Sequence, residues 1–113
     1  MTDNQDELNI VTRKHLDLLS KAFFRHDNRG QVQALFNLGF AHLSAGKPID
    51  AKYFYEQALE ISHLIADRRF EGMSLAGLGM AYEALGEPHR AIDYLIQALE
   101  KSQRTYCFFQ IKL

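Results

Sequence analysis

The chain repeats itself with a period of forty residues. Moving the sequence forward by forty lays Asp27 on Asp67, Arg29 on Arg69, Leu35 on Leu75, and Leu38-Gly39 on Leu78-Gly79. It also lays Ala41 on Ala81, Gly46 on Gly86, Pro48 on Pro88 and Ala51 on Ala91. The run Gln57-Ala58-Leu59-Glu60 returns as Gln97-Ala98-Leu99-Glu100, and Ser62 returns as Ser102. Self-similarity at such a period marks stacked supersecondary units, each of which buries its apolar side only against its neighbours. The matches fall on Gly, Pro, Ala and Leu, the residues that set helix ends and packing.

Each unit reads as two helices. The first is expected from about Gln31 to Ala45, and its copy from about Glu71 to Leu85. Leu35, Leu38 and His42 lie at i, i+3 and i+7, as do Leu75, Leu78 and Tyr82, which is one helical face. Gly46 and Gly86 stop these helices by accepting the left-handed conformation. Pro48 and Pro88 open the next ones, where a missing N–H costs nothing. Asp50 suits the positive end of the helix dipole. The short Gly-Lys-Pro and Gly-Glu-Pro connections force the two helices antiparallel.

Gly39 and Gly79 sit mid-helix, where glycine costs roughly 1 kcal/mol against alanine. Their common register predicts close helix approach. Ala41, Ala51 and Ala58, with Ala81, Ala91 and Ala98, are the expected opposing small surfaces, and Tyr55, Leu59, Leu95 and Leu99 the knobs between them. Upstream, Leu8, Val11, Leu16, Leu19 and Phe23 can share a helical face, and Leu19 aligns with Leu59. This predicts a leading helix over about Asp6 to His26. The expected organisation is all-α with about five helices. It divides into an N-terminal helix over 1–30, one unit over 31–70, and a second over 71–113 that carries an apolar C-terminal extension.

The pattern resembles the tetratricopeptide repeat. The first unit reads Leu35, Leu38-Gly39, His42, then Ala51, Tyr55, Ala58; the second reads Leu75, Leu78-Gly79, Tyr82, then Ala91, Leu95, Ala98. The usual opening Trp is Leu in both, His63 or Gln103 replaces the closing Pro, and the period is forty where thirty-four is usual. The second helix is therefore expected to run about a turn and a half longer, through Leu64-Ile65-Ala66. The resemblance implies a right-handed α–α superhelix whose concave side, lined by the first helices, grips partners.

On that face stand Gln33, Phe36, Phe40 and Leu43, with copies Met73, Ala76, Met80 and Glu83. It is largely apolar, where the family often shows Asn, Lys or Arg. Such a face suits burial of apolar side chains from a helix laid in a groove, and methionines make it adaptable. The competing reading is self-burial, by the leading helix or by a second copy. The last residues, Tyr106 to Leu113, are apolar where a solenoid needs a polar cap. Phe108, Phe109, Ile111 and Leu113 are the expected oligomer contact. Either the array continues or two copies meet there, and the favoured reading is a two-fold homodimer.

Other functions find little support. Lys and Arg number 13 and Asp and Glu 14, for a formal charge of −1, so the chain lacks the net basic balance expected of a nucleic-acid binder. No apolar run approaches the ~20 residues that span a bilayer, and Met1 to Leu8 is too polar for a secretion signal. A single cysteine, Cys107, forms no internal disulfide and reads as a buried hydrophobe; the cytoplasm is the expected compartment. His15, His26, His42, His63 and His89 form no i, i+4 pair, which disfavours a metal site. His42 reads as a satisfied core histidine, and His63 and His89 as surface. Neither a phosphate-cradling glycine loop nor a catalytic constellation can be found, so no cofactor is expected. The chain reads as a non-enzymatic scaffold for another protein's helix or peptide, for itself, or for both. The alternative is a regulatory or sensor segment of a larger signalling or transcription-regulating protein.

Overall fold

Two aspartates start the first helix of each unit. In the computed structural model, which describes the backbone of residues 4–112 and the side chains of 5–102, helix α2 is Asn28–Ser44 and α4 is Arg68–Ala84. The Asp27 carboxylate accepts the Gly30 N–H at 2.9 Å, and the Asp67 carboxylate accepts the Phe70 N–H at 3.1 Å. Each satisfies an amide that a helix N-terminus otherwise leaves bare. Both helices therefore begin about one turn before the apolar pattern does. α1 spans Asn4–Phe24, α3 Pro48–Leu64 and α5 Pro88–Lys112.

The ends obey two rules. After α2 and α4, Gly46 and Gly86 take φ of +76° and +79°, as the sequence predicts. After α1 and α3 the same left-handed turn is made by His26 and Ala66, both at φ 55°. The Asp67 N–H then returns to the Ser62 carbonyl at 2.9 Å. This turn closes α3 at Leu64, so the helix does not run through Ile65-Ala66. Helices α2, α3 and α4 each have 17 residues. The six residues beyond a thirty-four-residue unit are thus not lodged in the second helix alone.

Each helix packs on the next in chain order, and α2 also touches α4. Tyr55 of α3 is the centre, with 1% of its surface exposed. A Cβ on Gly39 of α2 would lie 2.8 Å from its ring, and one on Gly77 of α4 would lie 2.6 Å away. Leu95 lies against Gly79 in the same manner, at 2.8 Å. Burial pushes the Tyr55 hydroxyl up to about 12. Around the ring lie Ala51, Leu78, Tyr82 and Ala91, and a second cluster joins Val32, Leu35 and Ala58. His42 is buried, donates from Nδ1 to the Leu38 carbonyl at 2.8 Å, and lies against Phe54 with ring centres 5.0 Å apart. It is a satisfied core histidine.

One expectation about packing needs correction. Leu95 and Leu99 are not buried knobs; they stay 41% and 57% exposed, because among the described residues no helix packs beyond α5. On α1 the apolar face is not buried as a whole. Leu8 and Ala22 are buried and Leu19 half-buried, while Val11, Leu16 and Phe23 remain exposed. Among the described residues α1 packs only on α2, so a narrow stripe suffices.

The crowding at Tyr55 is testable. Gly77→Ala should lower stability by about 1–3 kcal/mol through overpacking, although alanine is the better helix former by about 1 kcal/mol. Gly72→Ala meets nothing closer than 3.8 Å and should be neutral or stabilising. Urea denaturation of both variants decides the matter, and equal behaviour would refute the wedge.

Candidate functional site

The eight residues expected to hold a partner all lie on α2 and α4, but the structure does not bring them together on one open face. Phe40 and Met80, which are forty residues apart, are 57% and 49% exposed, so α1 leaves Phe40 open. Gln33 and Glu83 flank them, also exposed. Phe36 and Leu43 are half-buried and pack against the core beside Tyr55. The Phe36 ring sits 5.5 Å from Tyr55 and 6.4 Å from Phe70, both edge-on. Met73 and Ala76 are half-buried and line a groove between α4 and α5 together with Leu95 and Leu99. The expected oligomer contact lies outside the described residues: this holds for the side chains of Phe108, Phe109 and Ile111 and for all of Leu113, as it does for the Cys107 side chain.

On the side formed by α3 and α5, a charged cluster joins three helices. Glu71 of α4 is buried, and its carboxylate accepts from His63 Nδ1 of α3 at 2.9 Å and from Lys101 Nζ of α5 at 3.2 Å. Burial alone pushes the carboxyl up, but the two bonds outweigh it and hold Glu71 below its usual range. The cluster edges a cavity of about 390 Å³ that also touches Leu59 and Tyr94.

Moving back by forty reaches a matching cavity of about 450 Å³ between α1 and α3. There Gln31, Phe23 and Ile61 stand where Glu71, His63 and Lys101 stand in the second unit. The two cavities have the same frame and opposite chemistry. Sequence reasoning placed His63 on the surface and missed its bond. The replacement of Phe, Gln and Ile by His, Glu and Lys at one register was the visible sign.

Among the described residues no group of three His, Cys, Asp or Glu side chains could hold a metal ion. None of their helices is long and apolar enough to cross a membrane.

Linkage gives the cluster a pH signature. A carboxyl held below its ordinary value of 4.5 adds stability that is complete above that value and fades as pH falls through the lower native one. Glu71→Gln should therefore cost about 1 kcal/mol at pH 7, since the partners are partly solvated. The gap to wild type should narrow as pH falls from 5 to 3, followed by urea midpoints. An unchanged gap would show that the carboxylate's charge contributes nothing.

No solved structure matches the chain. A family profile described as tetratricopeptide repeat matches residues 31–104, the stretch in which Tyr55 and its flanking glycines join paired helices at forty-residue spacing. By that match and by its helical architecture, the chain belongs to the tetratricopeptide repeat family.

Proposed function

We propose that this chain is a protein-interaction module that grips an apolar helix of another protein on the face shared by α2 and α4. Tetratricopeptide repeats generally mediate protein–protein interaction and are non-catalytic modules. The observation that carries the finer reading is the exposure of Phe40 and Met80 at equivalent positions of the two units. Large apolar side chains presented in register along neighbouring helices are the anchors that helix-in-groove recognition uses.

Magnitudes say what else the partner must do. Covering both side chains hides roughly 250 Å² of apolar surface, worth about 6 kcal/mol at ~25 cal/mol per Å². Association itself costs at least about 4 kcal/mol, so two anchors alone bind weakly. The partner must extend to the half-buried flanks of Phe36 and Leu43 and to the polar rim at Gln33 and Glu83. Met80 can reshape to follow a helix of uneven profile.

Phe40→Asp should abolish partner capture in a pull-down and leave far-UV circular dichroism and the thermal midpoint close to wild type, because the side chain is already half in water. Met80→Asp should weaken capture in the same assay. If Phe40→Asp unfolds the chain, Phe40 is a core residue and the reading fails. If it folds and still captures every partner, the face is not the grip.

A further inference from the structure

The groove between α4 and α5 measures about 1000 Å³; Met73, Ala76, Leu95 and Leu99 line it, as does Arg69 near the start of α4. The repeat supplies a filled version of the same surface. Moved back by forty, Leu95 and Leu99 fall on Tyr55 and Leu59 of α3, and Arg69 and Ala76 fall on Arg29 and Phe36 of α2. On that earlier surface a helix is seated, and it is α4. Its Gly77 meets Tyr55, its Phe70 meets Phe36 at 6.4 Å, and its N-cap Asp67 pairs with Arg29 at 3.4 Å.

We infer that the α4/α5 groove receives an α-helix of a partner polypeptide, one that begins with an aspartate N-cap set against Arg69 and turns small apolar residues toward Leu95 and Leu99. Charge complementarity fixes its direction. No ion pair engages Arg69 among the described residues, and Arg29 shows what its counterpart accepts: the carboxylate that caps the incoming helix. Among the described residues a second copy has no such helix to offer. Its aspartate-capped helices among the described residues are α2 and α4, and their small residues Ala34, Ser74 and Gly77 are already buried within the fold.

The differences between the two grooves describe the occupant further. Leu95 reaches less far than Tyr55, and Ala76 is smaller than Phe36. Where α4 must carry glycine against Tyr55, a helix against Leu95 has room for alanine, which also favours the helix itself. This site is separate from Phe40 and Met80 and stands whether or not they grip a partner.

The test uses the protein's own seated helix as the probe. A fluorescein-labelled peptide with the sequence of residues 66–85, carrying Gly77→Ala, is titrated with the full chain and followed by anisotropy. It should bind with Kd on the order of 10 μM, since the free peptide pays to become helical. Leu99→Asp should weaken binding at least about tenfold by burying an unpaired charge. Arg69→Gln should weaken it about twofold to fivefold, as expected for a surface ion pair. Asp67→Asn in the peptide keeps the cap and should cost the same, and the two losses should not add. Phe40→Asp should leave binding unchanged, which separates this site from the α2/α4 face. Circular dichroism checks that Leu99→Asp folds, and the exposed Arg69 variant keeps the test decisive if it does not.

The inference falls if the peptide fails to bind up to about 1 mM, or if Leu99→Asp or Arg69→Gln leaves binding untouched. It falls equally if Phe40→Asp removes binding. A wild type that pairs with itself in light scattering, and that Leu99→Asp turns into monomers, would replace the proposed helix by a second copy.

Discussion

Everything in this fold is hung on one ring. Tyr55 projects from α3 into the space between α2 and α4, and both neighbours give up a side chain to admit it. Gly39 and Gly77 are there for proximity. A β-carbon on either would enter the ring's van der Waals shell. A glycine in mid-helix costs roughly 1 kcal/mol of propensity, and burying a tyrosine ring between two helices returns more than that. Because the ring touches α2 on one side and α4 on the other, it sets the spacing between the two first helices. That spacing decides how Phe40 and Met80 stand relative to each other.

The second unit repeats the frame with different tools. Tyr82 stacks on Tyr94 with ring centres 5.3 Å apart, where the first unit sets His42 against Phe54 at 5.0 Å. Leu95 replaces Tyr55 and is clasped by Gly79 alone among the described residues. What the shorter side chain loses as a clasp is partly made up by charge. Glu71 gathers His63 and Lys101 from the flanking helices, so α3, α4 and α5 are tied at a point where the first unit relies on Phe23 and Ile61. A buried carboxylate is tolerated there only because two donors reach it.

Much of this was legible in the residues. Pro48 and Pro88, Gly46 and Gly86, and the mid-helix pair Gly39 and Gly79 report their roles directly, because glycine and proline have few other reasons to recur in register. Less was legible wherever an ordinary residue does an unusual job. His26 and Ala66 take positive φ with no glycine to announce it, so the end of α3 was read two residues too far along. Asp27 and Asp67 matched in the alignment, yet a cap is recognised only when the helix start is already known. Exposure was harder still. Periodicity says that Leu95, Leu99, Val11 and Leu16 belong on a helix face, but only the presence or absence of a neighbouring helix says whether that face is covered.

Comparison of the two units with each other separates architecture from recognition. Several positions that contact the core agree: Leu38 with Leu78, Gly39 with Gly79, Ala51 with Ala91. Positions expected on the face of α2 and α4 do not: the shift by forty lays Gln33 on Met73, Phe36 on Ala76, Phe40 on Met80, and Leu43 on Glu83. A binding surface made of two identical halves would fit a partner that is itself repetitive. Here the α2 half is bulky and aromatic, and the α4 half is slimmer, flexible and acidic at its end. A helix that satisfies both must present a small side to Phe36 and Phe40 and a broader one to Met80. It must also place no carboxylate beside Glu83, since like charges at a partly covered rim raise the cost of docking. If this face grips a helix as proposed, the divergence of its two halves gives that partner a direction, and a helix laid the opposite way would meet Phe40 with its broad side and Met80 with its small one.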